Sequence, residues 1–246
     1  MFTLNFGGYE FPNQTFTLKN LDLANNIKED NIARKHGANI QAPYLKSRKL
    51  SVSGMIHNTT EDASLTELLD MQKNLLAGEN KLYYRSDRYI NCYAQKIKPN
   101  EIEGGGKALL DVDIDFIAQN PFFYMAAASY SVEESHAGGT NTFAINYSGN
   151  VFSEPKVYVC ATGGTISSME MWNITNNNQS FQFTGQINNG LTIAFDTELF
   201  TVLNNAVDGI TYFNGEFLTI IPGNNQFQFS GITCTITVDY KDRWYS

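Results

Sequence analysis

The chain has 246 residues, 42% hydrophobic and 17% charged, which makes it globular rather than disordered and long enough for two domains. A formal net charge of −8 excludes a general nucleic-acid-gripping surface. No apolar run approaches the length of a membrane span and the start lacks a basic, cleavable leader, so neither membrane insertion nor secretion is expected.

A first strand is expected at residues 2–6, where Phe2, Leu4 and Phe6 alternate with polar residues before Gly7-Gly8. A second follows over 15–23. Residues 25–41 are then polar and mixed in charge, with Lys28, Arg34, Lys35 and His36 beside Glu29 and Asp30. A connection this long is either a solvated loop or a functional element; if its flanking strands pair, it is an extended hairpin arm. Residues 49–56 alternate again, with Leu50, Val52 and Ile56 inward and Gly54 permitting a close backbone approach. One helix is legible, with Leu65, Leu68, Leu69, Leu75 and Leu76 forming an apolar stripe expected to pack on the sheet. Ser64 and Glu67 resemble a capping box, with Thr59 and Thr60 as alternative caps, and Gly78 suits the left-handed position after the last turn. Strands over 81–84 and 89–97 are joined by Arg85-Ser86-Asp87-Arg88. Residues 101–107, EIEGGGK, look like a phosphate loop, but Glu101 replaces its first glycine and Ala108 its hydroxyl residue, which leaves a hairpin turn.

The clearest strand follows. Leu110, Val112, Ile114 and Phe116 alternate with Asp111, Asp113 and Asp115, giving one apolar and one charged face. Asn120-Pro121 ends it, because proline offers no N–H to a ladder. Pro121, Phe122 and Phe123 are read as the junction between a domain of residues 1–128 and one of 129–246, the aromatics packing the two together. Short strands at 142–147, 156–160, 170–174, 180–184, 191–196, 201–203, 211–213, 218–220, 226–229 and 232–240, with a turn at Pro222-Gly223-Asn224-Asn225, predict an antiparallel sandwich. The fold class is mainly β, a β-rich α+β chain. Its N-terminal domain is β-sandwich-like, with one α-helix and a hairpin arm; its C-terminal domain is an antiparallel β-sandwich.

Catalytic chemistry finds little purchase. Carboxylates two apart on a strand face lie about 7 Å apart, near the spacing of glycosidase pairs. An acid/base pair needs two unlike environments, however, and three equivalent aspartates make a polar strand face. His36, His57 and His136 have no partner at nucleophile or metal spacing and read as surface or loop residues. Cys92, Cys160 and Cys234 sit singly in apolar strand patterns, as small hydrophobes. Trp172 and Trp244 could stack a sugar, which keeps a two-domain carbohydrate-binding adhesin as the alternative reading. Trp172 lies in an apolar run with Met169, Met171 and Ile174, and is expected in the core. No catalytic, cofactor or metal residue is assigned, and the chain is expected to be no enzyme.

Several segments, in this order and spacing, resemble the distal tail proteins (Dit) of long-tailed siphophages. They are the short strand before Gly7-Gly8, the strand over 48–54, the leucine helix ending at Gly78 and Ser86-Asp87-Arg88-Tyr89. The strand running into Asn120-Pro121-Phe122, then Pro222-Gly223-Asn224 and Asp242-Arg243-Trp244, complete the set. The resemblance covers essentially the whole chain. It implies a homohexameric hub ring built by the first domain, an arm that wraps a neighbouring subunit, and an outward galectin-like second domain. Its implied partners are the tail tube protein, a tail-tip or tape-measure-associated protein and receptor-binding proteins, with DNA passing unread through the lumen. The implied location is the distal end of the virion tail, after synthesis in the host cytoplasm. Carried onto this sequence, Lys28, Arg34, Lys35 and His36 belong to the arm. The sugar-binding constellations of true galectins, His-x-Asn-x-Arg and Trp-x-x-Glu, are absent from the sequence. Six copies at −8 each would carry about −48, so an acidic or neutral lumen is expected to let DNA slide.

Overall fold

The computed structural model describes residues 4–12, 16–20, 25–26, 29–31, 38–40, 44–45, 47–101, 108–127 and 129–245. Its contacts divide the chain into two compact units, Met1–Ala126 with Tyr245–Ser246, and Ala127–Trp244.

In the first unit, antiparallel strands follow the order Tyr9–Glu10, Asn5–Phe6, Asn80–Arg85, Arg88–Glu101, Leu109–Ala118, Arg48–His57, Thr17–Asn20. The long strand Arg88–Glu101 makes the corner. Its first residues pair with Asn80–Arg85, and from Tyr93 onward it pairs with Leu109–Ala118, with a register shift between Ala94 and Lys96. A bulge of this kind lets one strand serve two sheet segments, which gives the unit its sandwich-like form. Leu110, Val112, Ile114 and Phe116 are buried, opposite Ile56, Gly54, Val52 and Leu50 of the neighbouring strand. A Cβ on Gly54 would run into the ring and backbone of Phe16, so the expected close approach is real.

The helix spans Glu61–Leu75. Thr60, rather than Ser64, caps it: its Oγ1 accepts from the Ala63 N–H at 3.3 Å. Ser64 is buried and donates from Oγ to the Ala108 carbonyl at 2.6 Å, tying the helix to the sheet. The buried stripe is Ser64, Leu68, Met71 and Leu75, which corrects the expected leucine stripe. Leu65, Leu69 and Leu76 are 43%, 64% and 60% exposed. Each lies one residue, about 100° of helix, beyond a buried position, so five leucines could not share one face. Gly78 takes φ +127 two residues past the C-cap Leu76.

The second unit is the antiparallel sandwich expected. One sheet orders Tyr130–His136, Cys234–Tyr240, Lys156–Ala161, Thr192–Asp196, Thr201–Asn204 and Val207–Asp208. The other orders Gly139–Tyr147, Gly223–Gly231, Met169–Asn173, Gln179–Phe183 and Phe213–Gly215. Their apolar faces make one core, to which Phe181, Phe183, Phe195, Phe227 and Phe229 contribute five aromatic rings. Residues 218–220 form only an isolated bridge, Ser153 to Ile220. At the predicted turn Asn225 is fully buried, and its amide donates to the carbonyls of Ile221 and Gly223 while accepting from the Ile221 N–H.

Candidate assembly surfaces

Where the arm is expected, three antiparallel pairings are described. Thr17–Asn20 pairs with Arg48–His57, Asn25–Asn26 with Tyr44–Leu45, and Glu29–Asn31 with Ala38–Ile40. The outer two steps pair with no third strand among the described residues. A two-stranded ribbon is marginal alone in water, and its open N–H and C=O edges favour a further strand or a partner. Lys28, Arg34, Lys35 and His36 fall outside the described residues.

Pro121, Phe122 and Phe123 lie in the first unit, where the chain end returns to it. Asn120 accepts the Phe122 N–H through Oδ1 at 3.3 Å, bridging the proline. Phe122 meets Tyr245 edge-on with ring centres 5.8 Å apart. Phe123 is fully buried, with Tyr84 at 4.5 Å and the Arg48 guanidinium 4.7 Å above its ring. Arg48 is itself buried and donates through Nη2 to the Tyr245 carbonyl at 2.5 Å. Sequence reasoning did not single out this arginine.

The aspartate row is a half-buried polar strand face. Asp113 accepts from Ser53 Oγ at 2.5 Å, and Asp115 pairs with Lys98 at 3.2 Å. Opposite the row stand Met55, Ser53 and Ser51 on one neighbour and Asn100, Lys98 and Lys96 on the other. These contacts occupy two of the three carboxylates in cross-strand pairing rather than setting up an unlike acid and base.

In the second unit Arg243 is buried against Glu154, Nη1 to Oε2 at 2.6 Å, and its N–H donates to the Tyr147 hydroxyl at 2.8 Å. Burial pushes the Tyr147 phenol up to about 12, and burial likewise raises the Asp242 carboxyl against the Ser148 and Gly149 N–H groups that stabilise its charge. His136 is not a surface residue: it is buried, Asn141 donates to its Nδ1 at 3.1 Å, and its Nε2 lies 3.3 Å from the Gly231 carbonyl. Both ring nitrogens are thus engaged in holding a strand edge. Trp172 also departs from expectation. Met169 and Met171 are buried, and period-two alternation turns Trp172 outward with Glu170, half-buried, beside Ser180 and Gln228. The three cysteines are free; Cys92 and Cys234 are buried, and burial pushes the Cys234 thiol up to about 11. Among the described residues, no cluster of three His, Cys, Asp or Glu is placed to hold a metal ion.

Charge is divided unevenly between the units. Residues 127–244 hold ten Asp and Glu against three Lys and Arg, a net −7, which leaves −1 for the rest. The acidity assigned to a lumen therefore belongs almost wholly to the second unit; a ring built by the first would be near neutral.

No protein-family model and no curated protein matches this sequence. Solved structures do. The crystal structure of the SPP1 Dit (gp 19.1) protein, described as a paradigm of the hub adsorption apparatus in phages infecting Gram-positive bacteria, aligns with TM-score 0.72 at 13% identity over 98% of each chain. Two structures of the phage P2 baseplate in its activated conformation, with Ca and with Sr, align at TM-scores of 0.44 and 0.41 and 10% and 9% identity. Each covers 94% of this chain and 92% of its own. Over nearly its whole length the chain has the fold of SPP1 Dit, a siphophage distal tail protein.

Proposed function

We propose that this protein is a structural component of a phage tail tip or baseplate: a hub ring of six copies joining the tail tube to tail-tip and host-adsorption proteins, with a channel for DNA. The observation that carries the reading is a fold match that runs through both units, TM-score 0.72 over 98% of the chain. The hairpin supports it: its outer steps pair with no third strand among the described residues, and open strand edges gain stability by pairing with a neighbouring copy. In this reading the near-neutral first unit lines the channel and holds DNA by neither attraction nor sequence. The role is architectural rather than enzymatic, and the site is the distal end of the virion tail.

Negative-stain imaging of the protein mixed with its own tail tube and tail-tip proteins tests this; sixfold rings are expected. No ring in the presence of both neighbours overturns the hub. Deleting residues 28–39 is expected to leave a folded but ringless protein, and rings that survive the deletion overturn the arm's role.

One observation favours a second reading, the carbohydrate-binding adhesin. Trp172 sits on the outer sheet face beside Glu170, whose Oε1 accepts from Gln182 Nε2 at 3.0 Å. Planar amides, a carboxylate and an indole suit a sugar's hydroxyls and apolar face. Calorimetric glycan binding lost in Trp172→Ala supports it; no heat with host cell-wall glycans removes it.

A further inference from the structure

The five-stranded sheet of the second unit turns one face to the core and the other to solvent. Met169–Asn173 is its middle strand. Trp172 stands half-buried on the outer face of that strand, opposite Gln228 on one neighbour and Ser180 on the other. One step along the same face, Glu170 accepts from Gln182 Nε2 at 3.0 Å, which fixes that amide. Among the described residues the Trp172 indole makes no hydrogen bond and meets no other ring. A flat apolar ring with a spare N–H donor therefore lies at the centre of a face otherwise rich in amides and hydroxyls.

Beside it is a recess of about 450 Å³, lined in part by Asn177, Asn178, Ser180 and Glu216. Ser180 joins the two, since it lines the recess and is the cross-strand partner of Trp172. The turn that walls the recess is held from within. Asn173 Oδ1 accepts the Asn176 N–H at 3.2 Å, and Asn176 Nδ2 donates to Thr219 Oγ1 at 2.8 Å. Asn177 and Asn178 follow at φ +52 and +55, a left-handed conformation that asparagine tolerates better than most residues. Both are exposed, so a preordered turn presents two adjacent amides to solvent.

A recess of this size suits a small ligand, for which sites run about 300–1,000 Å³. Its lining selects the chemistry. Amides and hydroxyls suit a ligand dense in hydroxyl groups, the indole suits one with a flat C–H face, and a pyranose has both. Charge narrows the choice. All five strands and the walling turn lack Lys and Arg, while Glu170 stands on the face and Glu216 lines the recess, so an anionic sugar would be repelled and left unpaired.

We propose that Trp172 and the Asn177–Asn178 recess form a binding site for a neutral, pyranose-containing oligosaccharide, the indole stacking on one ring while the amides and Glu216 bind hydroxyls. The site rests on the carbohydrate reading of the second unit and is independent of ring formation.

Trp244→Phe leaves Trp172 as the only tryptophan, so its emission reports this face alone. The full-length protein in this form would be titrated with maltotriose, cellotriose and chitotriose, and with trigalacturonate as the anionic control. At least one neutral trisaccharide is expected to shift the emission saturably, with a Kd on the order of 1 mM or below. Trigalacturonate is expected to bind at least tenfold more weakly. In calorimetry with the same sugar, Trp172→Ala should lose at least tenfold in affinity relative to wild type. Asn178→Gly, which removes an amide but keeps the left-handed backbone, should lose at least threefold at an unchanged melting temperature. The emission titration and Asn178→Gly decide the matter even if Trp172→Ala is destabilised. No saturable shift with any of the three neutral sugars overturns the proposal. Neutral-sugar heat that survives in Trp172→Ala also overturns it, but leaves the carbohydrate reading standing at another site. Trigalacturonate binding as tight as that of the neutral sugars overturns the selection for uncharged ligands.

Discussion

Arg48 holds its guanidinium 4.7 Å above the ring of Phe123, in a site where its Nε and Nη1 have no hydrogen-bond partner among the described residues. Burial lowers its pKa, and its Nη2 donates to the Tyr245 carbonyl. A buried cation so sparsely paired adds less through its charge than through its packing. Arg48→Met should therefore cost under about 1 kcal/mol, or stabilise, whereas Arg48→Ala should cost about 3 kcal/mol through the cavity it leaves. Urea unfolding of both variants decides this, and equal losses would show that the charge itself matters.

Phe123 is fully buried between Tyr84 and Arg48, while Phe122 keeps slight exposure beside Tyr245. Phe123→Ala should lose about 3–5 kcal/mol, and Phe122→Ala a smaller but clear amount. Thermal unfolding reads both. An unchanged melting temperature in Phe122→Ala would remove this ring from the core and leave the proposed junction without its anchor.

Asp242 should make stability depend on pH in the less common direction. Its folded carboxyl is raised, so the folded protein binds that proton more tightly than the unfolded chain, whose carboxyl titrates near 3.9. Its stabilising contribution is complete below that pH and is lost as pH rises through the folded value. Asp242→Asn, fixed in the neutral form, should gain on wild type as pH climbs from about 3.5 to 7. Denaturant titrations across that range check the sign.

At the same corner, Tyr147→Phe strips the acceptor from the Arg243 N–H and should cost about 1–2 kcal/mol. Equilibrium unfolding at neutral pH measures it.

The helix offers a matched pair. Leu68→Ala should cost about 2–4 kcal/mol, and Leu69→Gln should stay within about 0.5 kcal/mol of wild type, because the first side chain is buried and the second is mostly exposed. Circular-dichroism melts distinguish them.

Much of the fold was legible where period-two alternation was strong. The aspartate strand, its apolar face and the close approach at Gly54 follow directly from residue order. The same rule, carried further, would have caught two errors. Arg48 is in phase with Leu50 and Val52, and so points into the core with them. Trp172 is out of phase with Met169 and Met171, and so points away. The strand Tyr130–His136 was missed because it is a largely exposed sheet edge, with few apolar residues to mark it. The helix was found but rotated, since counting leucines overlooked Met71 and a buried serine. Nothing in the letters around Leu199-Phe200 announces a left-handed phenylalanine at φ +53.

The run from Val157 to Tyr240, free of lysine and arginine, also determines what chemistry can see of this protein in a particle. Trypsin has no bond to cut there, so a digest of assembled tails should release that stretch as one long peptide while fragmenting the first unit. Amine-reactive cross-linkers can reach the second unit only at Lys156 and Lys241. Carbodiimide coupling, which needs carboxylates, has ten Asp and Glu to use in the same unit.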